Sequence, residues 1–359
     1  MKLNELLNDY VKNGWIRKEV NEDLTIYNYT SACQFDRHWD YYTKMSRGLI
    51  LDNNGNIVAR PFVKFFNAGE TEETKIENLP SEVPIITEKL DGSLGILFIY
   101  KDKIVVTTRG SFVSDQAKWA TEWVEKKEFK PTDFMVGYTY LFEILYRENR
   151  VVINYGDREE LVLLTVIENE TGKEHSYNEV KSIGKQLNLN VVKKLEIVDI
   201  QKAVDMLPTL SSNEEGFVVR YSNGLRIKLK GVEYFRLHRL LTGVSERSIW
   251  ELLKEKQDVS KFLEKVPDEF YKWFDQTRIK LQDQYLEIER KAKEVFANTP
   301  KFENRKDYAL YFLDKAKEMN IPVGILFSLL DNKSYEQEIW KIIKPTGGTV
   351  FKVVKIDTE

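Results

Sequence analysis

A chain of 359 residues that is 42% hydrophobic and 31% charged has material for a packed core, in one large domain and a smaller one. A net charge of −3 excludes a globally basic nucleic-acid binder, so any basic surface has to be local. The single cysteine, Cys33, excludes an internal disulfide and fits a reducing compartment, and with only His38, His175 and His238 beside it a zinc site is not expected. No apolar run reaches the length of a membrane span, and the first residues lack a signal-peptide pattern.

From the N-terminus, Leu3, Leu6, Leu7, Tyr10 and Val11 have the spacing of a helix. Residues 25–30 alternate as a strand, and residues 31–46, aromatic and charged, read as a loop or irregular stretch. Residues 47–52 and 57–60 flank Asn53-Asn54-Gly55-Asn56, a strong hairpin signal. Lys64-Phe65-Phe66-Asn67 continues it, and Arg47 and Lys64 are candidates to face one cavity. Then comes Lys89-Leu90-Asp91-Gly92-Ser93, followed by an apolar run over 94–100 that reads as a buried strand, with Lys89 at its mouth. Gly92, having no Cβ, lets the backbone pass close to a bound group. A lysine so placed can be a nucleophile, because burial and neighbouring cations both favour the neutral amine.

Residues 104–108 return as a strand ending in Arg109-Gly110-Ser111, and Gln116, Trp119, Ala120 and Trp123 follow at helical spacing. Residues 138–145 form another strand with Glu143 inside an apolar run; a carboxylate there must be paired, hydrated or bound to a ligand. Arg150 leads into Val151-Val152-Ile153, residues 161–167 read as a buried strand, and residues 177–187 as a helix. Glu214-Glu215-Gly216 opens a strand over 217–221. After the turn Ser222-Asn223-Gly224, residues 225–230 put Leu225, Ile227 and Leu229 on one face and Arg226, Lys228 and Lys230 on the other. A solvated sheet face has the same alternation. From Leu237 helical periods dominate: Phe270 through Val295, then residues 308–319, 323–330 and 335–343, before Pro345-Thr346-Gly347-Gly348. A helical second domain is expected to start near residue 240.

If the strands share a cavity, one lysine, several cations and two or three acids suit nucleotidyl transfer. The Lys89 amine would attack the α-phosphorus of ATP and expel pyrophosphate. Lys228 and Lys230 would neutralise charge on the phosphate oxygens, and magnesium would sit among oxygen ligands and water near Asp91, Glu143 and Glu215.

The order Arg47-Gly48, Lys64-Phe65-Phe66-Asn67, Lys89-x-Asp91-Gly92-Ser93, Phe142-Glu143, Glu215-Gly216-Phe217-Val218 and Lys228-Leu229-Lys230 resembles the covalent nucleotidyltransferases. Within them it is most similar to the phage-type RNA ligase 1 family of ATP-dependent RNA ligases. Arg109 stands where many members carry a lysine. The resemblance implies an α+β fold: a nucleotidyltransferase (adenylation) domain of antiparallel sheets with flanking helices over residues 1–238, then an all-α C-terminal domain over 239–359 that selects the RNA. It implies ATP as cofactor, with AMP carried on Lys89, and Mg2+ or Mn2+. AMP then passes to a 5′-phosphate on RNA, and a 3′-hydroxyl attacks and seals the strand. The implied partner is RNA with such ends, for instance a cleaved tRNA, handled by a monomer in the cytoplasm of a bacterial or phage-infected cell. By the same carry-over Arg47, Lys64 and Arg109 contact phosphates, and Glu88 helps read adenine through its backbone. Glu143 meets the ribose or a metal-bound water, Glu215 supports the metal, and Lys228 and Lys230 hold the α-phosphate.

Two rivals share the lysine chemistry, a DNA ligase and an RNA-capping enzyme. Both commonly carry an OB-fold of five short strands after the catalytic domain, and the tail here reads helical. A non-catalytic RNA-binding module would explain the basic and aromatic residues but neither Lys89 beside Asp91 nor Glu143 in an apolar strand.

Overall fold

The computed structural model describes residues 2–149, 152–211, 213–232, 234, 245–259 and 271–345. The chain divides into two compact units, the first taking in the residues up to Leu241 and the second beginning at Thr242.

Among the described residues the first unit is α+β and holds three four-stranded sheets. Sheet one is the meander β1 (Ile16–Asn21), β2 (Leu24–Tyr29), β3 (Arg47–Asp52) and β4 (Ile57–Ala59). Sheet two has the order β10-β9-β7-β8, from β7 (Ser93–Tyr100), β8 (Lys103–Thr108), β9 (Tyr138–Leu145) and β10 (Glu160–Glu168). Sheet three has the order β5-β12-β11-β6, from β5 (Phe66–Asn67), β6 (Ile85–Glu88), β11 (Gly216–Arg220) and β12 (Arg226–Lys230). Every pairing among these strands is antiparallel except β12 with β5.

Alternation builds the layers. Leu24, Ile26 and Ile50 of sheet one pack on Ile96, Phe98 and Leu141 of sheet two. Tyr27, Leu49 and Leu51 point the other way, onto Leu7 of helix α1 (Leu3–Lys12). The opposite face of sheet two, with Leu97, Phe142 and Leu163, is covered by Ala120 and Val124 of helix Asp115–Lys126 and Val180 of helix Tyr177–Gln186. Sheet three closes its own core of Ile86, Phe217, Val219, Ile227 and Leu229 with Ala203 of helix Ile200–Met206.

Residues 31–46 are not the expected loop. They hold two short helices, Ser31–Phe35 and Tyr41–Met45. Each has a cap that offsets the cost of starting a helix: the Thr30 side chain accepts from the Cys33 N–H, and Asp40 and Thr43 form a reciprocal capping box. Strand β1, with its charged Arg17-Lys18-Glu19, had no clear pattern in sequence. It pairs with β2 over six residue pairs.

In the second unit, helices Glu246–Lys254, Tyr271–Ala297, Arg305–Met319, Val323–Leu330 and Glu336–Ile342 are described. They close over Ala292, Phe312, Ala316, Ile325, Leu326 and Ile339, and the Trp250 indole donates to the Trp340 carbonyl at 2.7 Å. Leu237, Phe270, the boundary expected between 238 and 239, Arg150-Val151 and Thr346-Gly347-Gly348 lie outside the described residues. Among the described residues no helix is long and apolar enough to cross a membrane.

Candidate active site

Lys89 stands where the chain leaves one sheet for another. Strand β6 of sheet three ends at Glu88, and β7 of sheet two begins at Ser93. The Lys89 N–H donates to the Gly216 carbonyl at 2.8 Å, which ties the crossing to the start of β11. Gly216 has φ +142°, and a Cβ there would come within 2.0 Å of the Leu229 carbonyl oxygen. Only glycine fits, and that close approach delivers Glu215 into the site.

Glu215 is the hub. Its carboxylate takes the Lys89 ammonium at 2.8 Å and the Lys230 ammonium at 2.7 Å. Its side chain is 2% exposed, against 20% for Lys89. A buried carboxylate needs compensation of this kind. The cations of β12 are therefore no solvated face, for Arg226, Lys228 and Lys230 are all buried. Arg226 is spent on structure, gripping Glu174 through two hydrogen bonds of 2.9 and 2.7 Å.

Glu143 on β9 accepts the Gly92 N–H at 3.0 Å. Burial pushes its carboxyl up to about 7, aided by the negative charge of Glu215 and opposed by the Lys89 ammonium. Gly92 is again a close approach, since a Cβ would meet the Ile144 carbonyl oxygen at 2.5 Å.

Asp91 is the main departure from expectation. It does not present itself to a metal. One carboxylate oxygen accepts the N–H groups of Val152 and Ile153 at 2.8 and 2.9 Å, and the other accepts the Tyr234 hydroxyl at 2.8 Å. Its own N–H donates to the Tyr155 hydroxyl at 2.8 Å. The acid fixes the shape of the Lys89 crossing. Among the described residues no cluster of three or more His, Cys, Asp or Glu side chains is placed to hold a metal ion. Glu88, expected to help read adenine through its backbone, donates its N–H to the Lys193 carbonyl at 2.9 Å, and its side chain accepts the Lys193 N–H at 3.0 Å.

The remaining cations gather around aromatic rings. Lys64, buried, sets its ammonium 5.3 Å from the Tyr29 ring, 5.2 Å from Trp39 and 5.4 Å from Phe66. Arg47 and Lys228 approach the Phe65 ring at 5.6 and 5.2 Å. Arg109 donates to the Tyr29 hydroxyl at 3.1 Å. The rings help to hold these charges in place by cation–π attraction. Beside Lys89 a cavity of about 100 Å³ is lined by Thr87, Glu88, Glu143, Leu164, Val218 and Arg226, among others. Tyr155, Tyr234 and Glu174 were not found from sequence. Each acts through partners distant along the chain, and no local pattern marks them.

Three sheets, with Lys89 at the crossing between two of them, give the first unit the α+β architecture expected of it. The model of an RNA ligase family matches residues 45–238, more than half of the chain, and the chain belongs to that family. It is 31% identical over 209 residues to a protein of Thermovibrio ammonificans provisionally named an RNA ligase, covering 55% of this chain and 53% of that one. It is 28% identical over 250 residues to a protein of Autographa californica nuclear polyhedrosis virus provisionally named a bifunctional polynucleotide kinase/RNA ligase, covering 62% of this chain and 35% of that one. The chain thus spans about half or less of the length of these relatives. Among solved structures, a Naegleria gruberi RNA ligase with pyrophosphate superposes on 44% of this chain and 52% of its own, at 19% identity and a TM-score of 0.38.

Proposed function

We propose that this protein is an ATP-dependent RNA ligase that joins 3′-hydroxyl and 5′-phosphate ends through AMP carried on Lys89. The observation that carries this reading is Glu215, buried and ion-paired to both Lys89 and Lys230. In the first step the Lys89 nitrogen bonds to the α-phosphorus of ATP and the bond to the β-phosphate oxygen breaks, releasing pyrophosphate. The ammonium gives up a proton for this, and the Glu215 carboxylate at 2.8 Å is the acceptor in place. Lys228 and Lys230 face the charge that develops on the phosphate oxygens, and Arg47, Lys64 and Arg109 are the further cations for phosphates. The cavity beside Lys89 takes the base.

Magnesium or manganese, when bound, supplies positive charge for the departing pyrophosphate. Glu143 fits that task best, because only one of its oxygens accepts a hydrogen bond among the described residues. Asp91 is committed elsewhere. A site with one carboxylate suits an ion that keeps several waters and binds phosphate oxygens.

In the second step a 5′-phosphate oxygen of the RNA attacks the AMP phosphorus and the Lys89 nitrogen leaves. In the third a 3′-hydroxyl attacks the activated 5′ phosphorus, seals the strand and releases AMP. Residues 1–238 hold this chemistry, and the helices that follow select the RNA, for which a cleaved tRNA loop is the candidate. We place the monomer in the cytoplasm of a bacterial or phage-infected cell, which suits a single buried thiol.

The test is a mass shift of one AMP on the protein after ATP and magnesium. Lys89→Ala should take up no AMP and should not join 5′-phosphate RNA. It should still join RNA that already carries AMP on its 5′ end, because Lys89 has then done its work. Joining of ordinary RNA by Lys89→Ala would remove Lys89 as the nucleophile. A fragment ending at Leu241 should still take up AMP while losing discrimination among RNAs; full discrimination by that fragment would end the role given to the helices.

A further inference from the structure

Sheet one carries a row of side chains outside the Lys89–Glu215 centre. The register places Arg17 of β1 opposite Asn28 of β2, and Asn28 opposite Arg47 of β3. Directly paired residues share a face and lie side by side, so two guanidinium groups flank one buried asparagine. The Arg109-Gly110-Ser111 turn closes over the same row. A Cβ on Gly110 would fall 2.7 Å from an Arg17 guanidinium nitrogen, and one on Gly48 would fall 3.0 Å from the Arg109 carbonyl oxygen. Glycines at both points let the turn lie this close.

The turn is tacked down by Glu19, whose Oε1 accepts the Ser111 hydroxyl and the Phe112 N–H, both at 3.0 Å. Glu19 is the acid nearest to Arg17 on its own strand face, and its bonds go to the turn. Among the described residues Arg17 forms no ion pair, and it is exposed. The neutral Asn28 adds no charge to the row, and its side-chain oxygen accepts no hydrogen bond among the described residues. The row thus starts at Arg47 beside the site and runs out to the exposed Arg17 on the sheet's edge. A guanidinium offers planar, forked donors that match phosphate.

We infer that Arg17 contacts a phosphate of the RNA strand, further out from the Lys89 centre than the phosphates assigned to Arg47 and Arg109. The inference rests on the ligase reading above. It concerns the polynucleotide and not ATP, because Arg17 lies two strands away from Arg47, roughly 10 Å at the usual strand spacing.

The test uses the full chain and a single-stranded RNA with a 5′-phosphate. Affinity is measured across a range of salt, with AMP uptake measured on the same preparations. Arg17→Ala should bind the RNA roughly threefold to tenfold more weakly at low salt, and its log–log salt slope should be shallower by about one, as expected for one lost phosphate contact. Arg17→Lys should keep the slope of the parent. Unchanged affinity and slope in Arg17→Ala would make Arg17 an edge-strand charge that only discourages sheet pairing, and the inference would be lost. An equal drop in AMP uptake would also overturn it, since Arg17 would then serve the fold or the nucleotide. A parent protein that takes up no AMP and joins no RNA is a different outcome: there the ligase reading itself fails, and the inference goes with it.

Discussion

Glu143 shows how one residue's surroundings become a measurable pH dependence. Its carboxyl is pushed by burial from 4.5 to about 7. Between those values the folded protein holds a proton that the unfolded chain has lost, so stability from this group is complete below about pH 4.5 and declines as pH rises towards 7. Glu143→Gln carries no such proton. Melting curves of parent and variant should therefore differ increasingly between these pH values, the parent losing ground as pH rises. Parallel curves would mean that Glu143 is solvated or differently paired. This group was legible in sequence because an acid broke an apolar run. Asp91 was visible but misread, because its partners Val152, Ile153 and Tyr234 lie 61, 62 and 143 residues away. Lys89, Glu215 and Lys230 could be grouped from the order of the motifs, whereas the ion pairs at Glu215 required the fold.

Strand β12 makes the same point for an element. Its alternation was plain in the sequence, and so was the division into an apolar and a cationic face. Alternation alone could not tell whether the cationic face meets water. What decides it are the acids Glu215 and Glu174 and the rings Phe62 and Phe65, all from other segments. Phe62 lies 4.2 Å beneath the Arg226 guanidinium. Burial works against the Glu174 charge, but Arg226 and Arg220 outweigh it and hold the carboxyl below its usual range. Arg226→Met should therefore cost about 3 kcal/mol, near the lower end for breaking a buried pair, because Arg220 remains 3.4 Å from Glu174. Chemical denaturation measures this, and replacing Glu174 by Leu in the same chain should recover much of the loss. A cost within error of zero for Arg226→Met would show that the pair contributes nothing to stability. The short helices Ser31–Phe35 and Tyr41–Met45 were illegible for another reason. At five residues each they have no room for an amphipathic period, and only their caps distinguish them from loops.

For the molecule as a whole, most strands of the first unit, though not β1 or β6, and the long helical periods of the second were readable because both patterns are local and repeated. How three sheets layer, and which strands neighbour one another, was not. The order β5-β12-β11-β6 brings together segments from opposite ends of the unit. Lys89 stands between two of those sheets, and its partner Glu215 is 126 residues further along. Contacts so distant in the chain form slowly, because loop closure has to come first. On the ligase reading proposed above, the capacity to take up AMP is then expected late in folding. After dilution from denaturant, the circular-dichroism signal of strands and helices should return well before the capacity to take up AMP. Recovery of both in a single phase would show that the sheets and the crossing form together. If the lag is found, a freshly synthesised or heat-stressed molecule passes through a compact but inert period in which it cannot yet consume ATP.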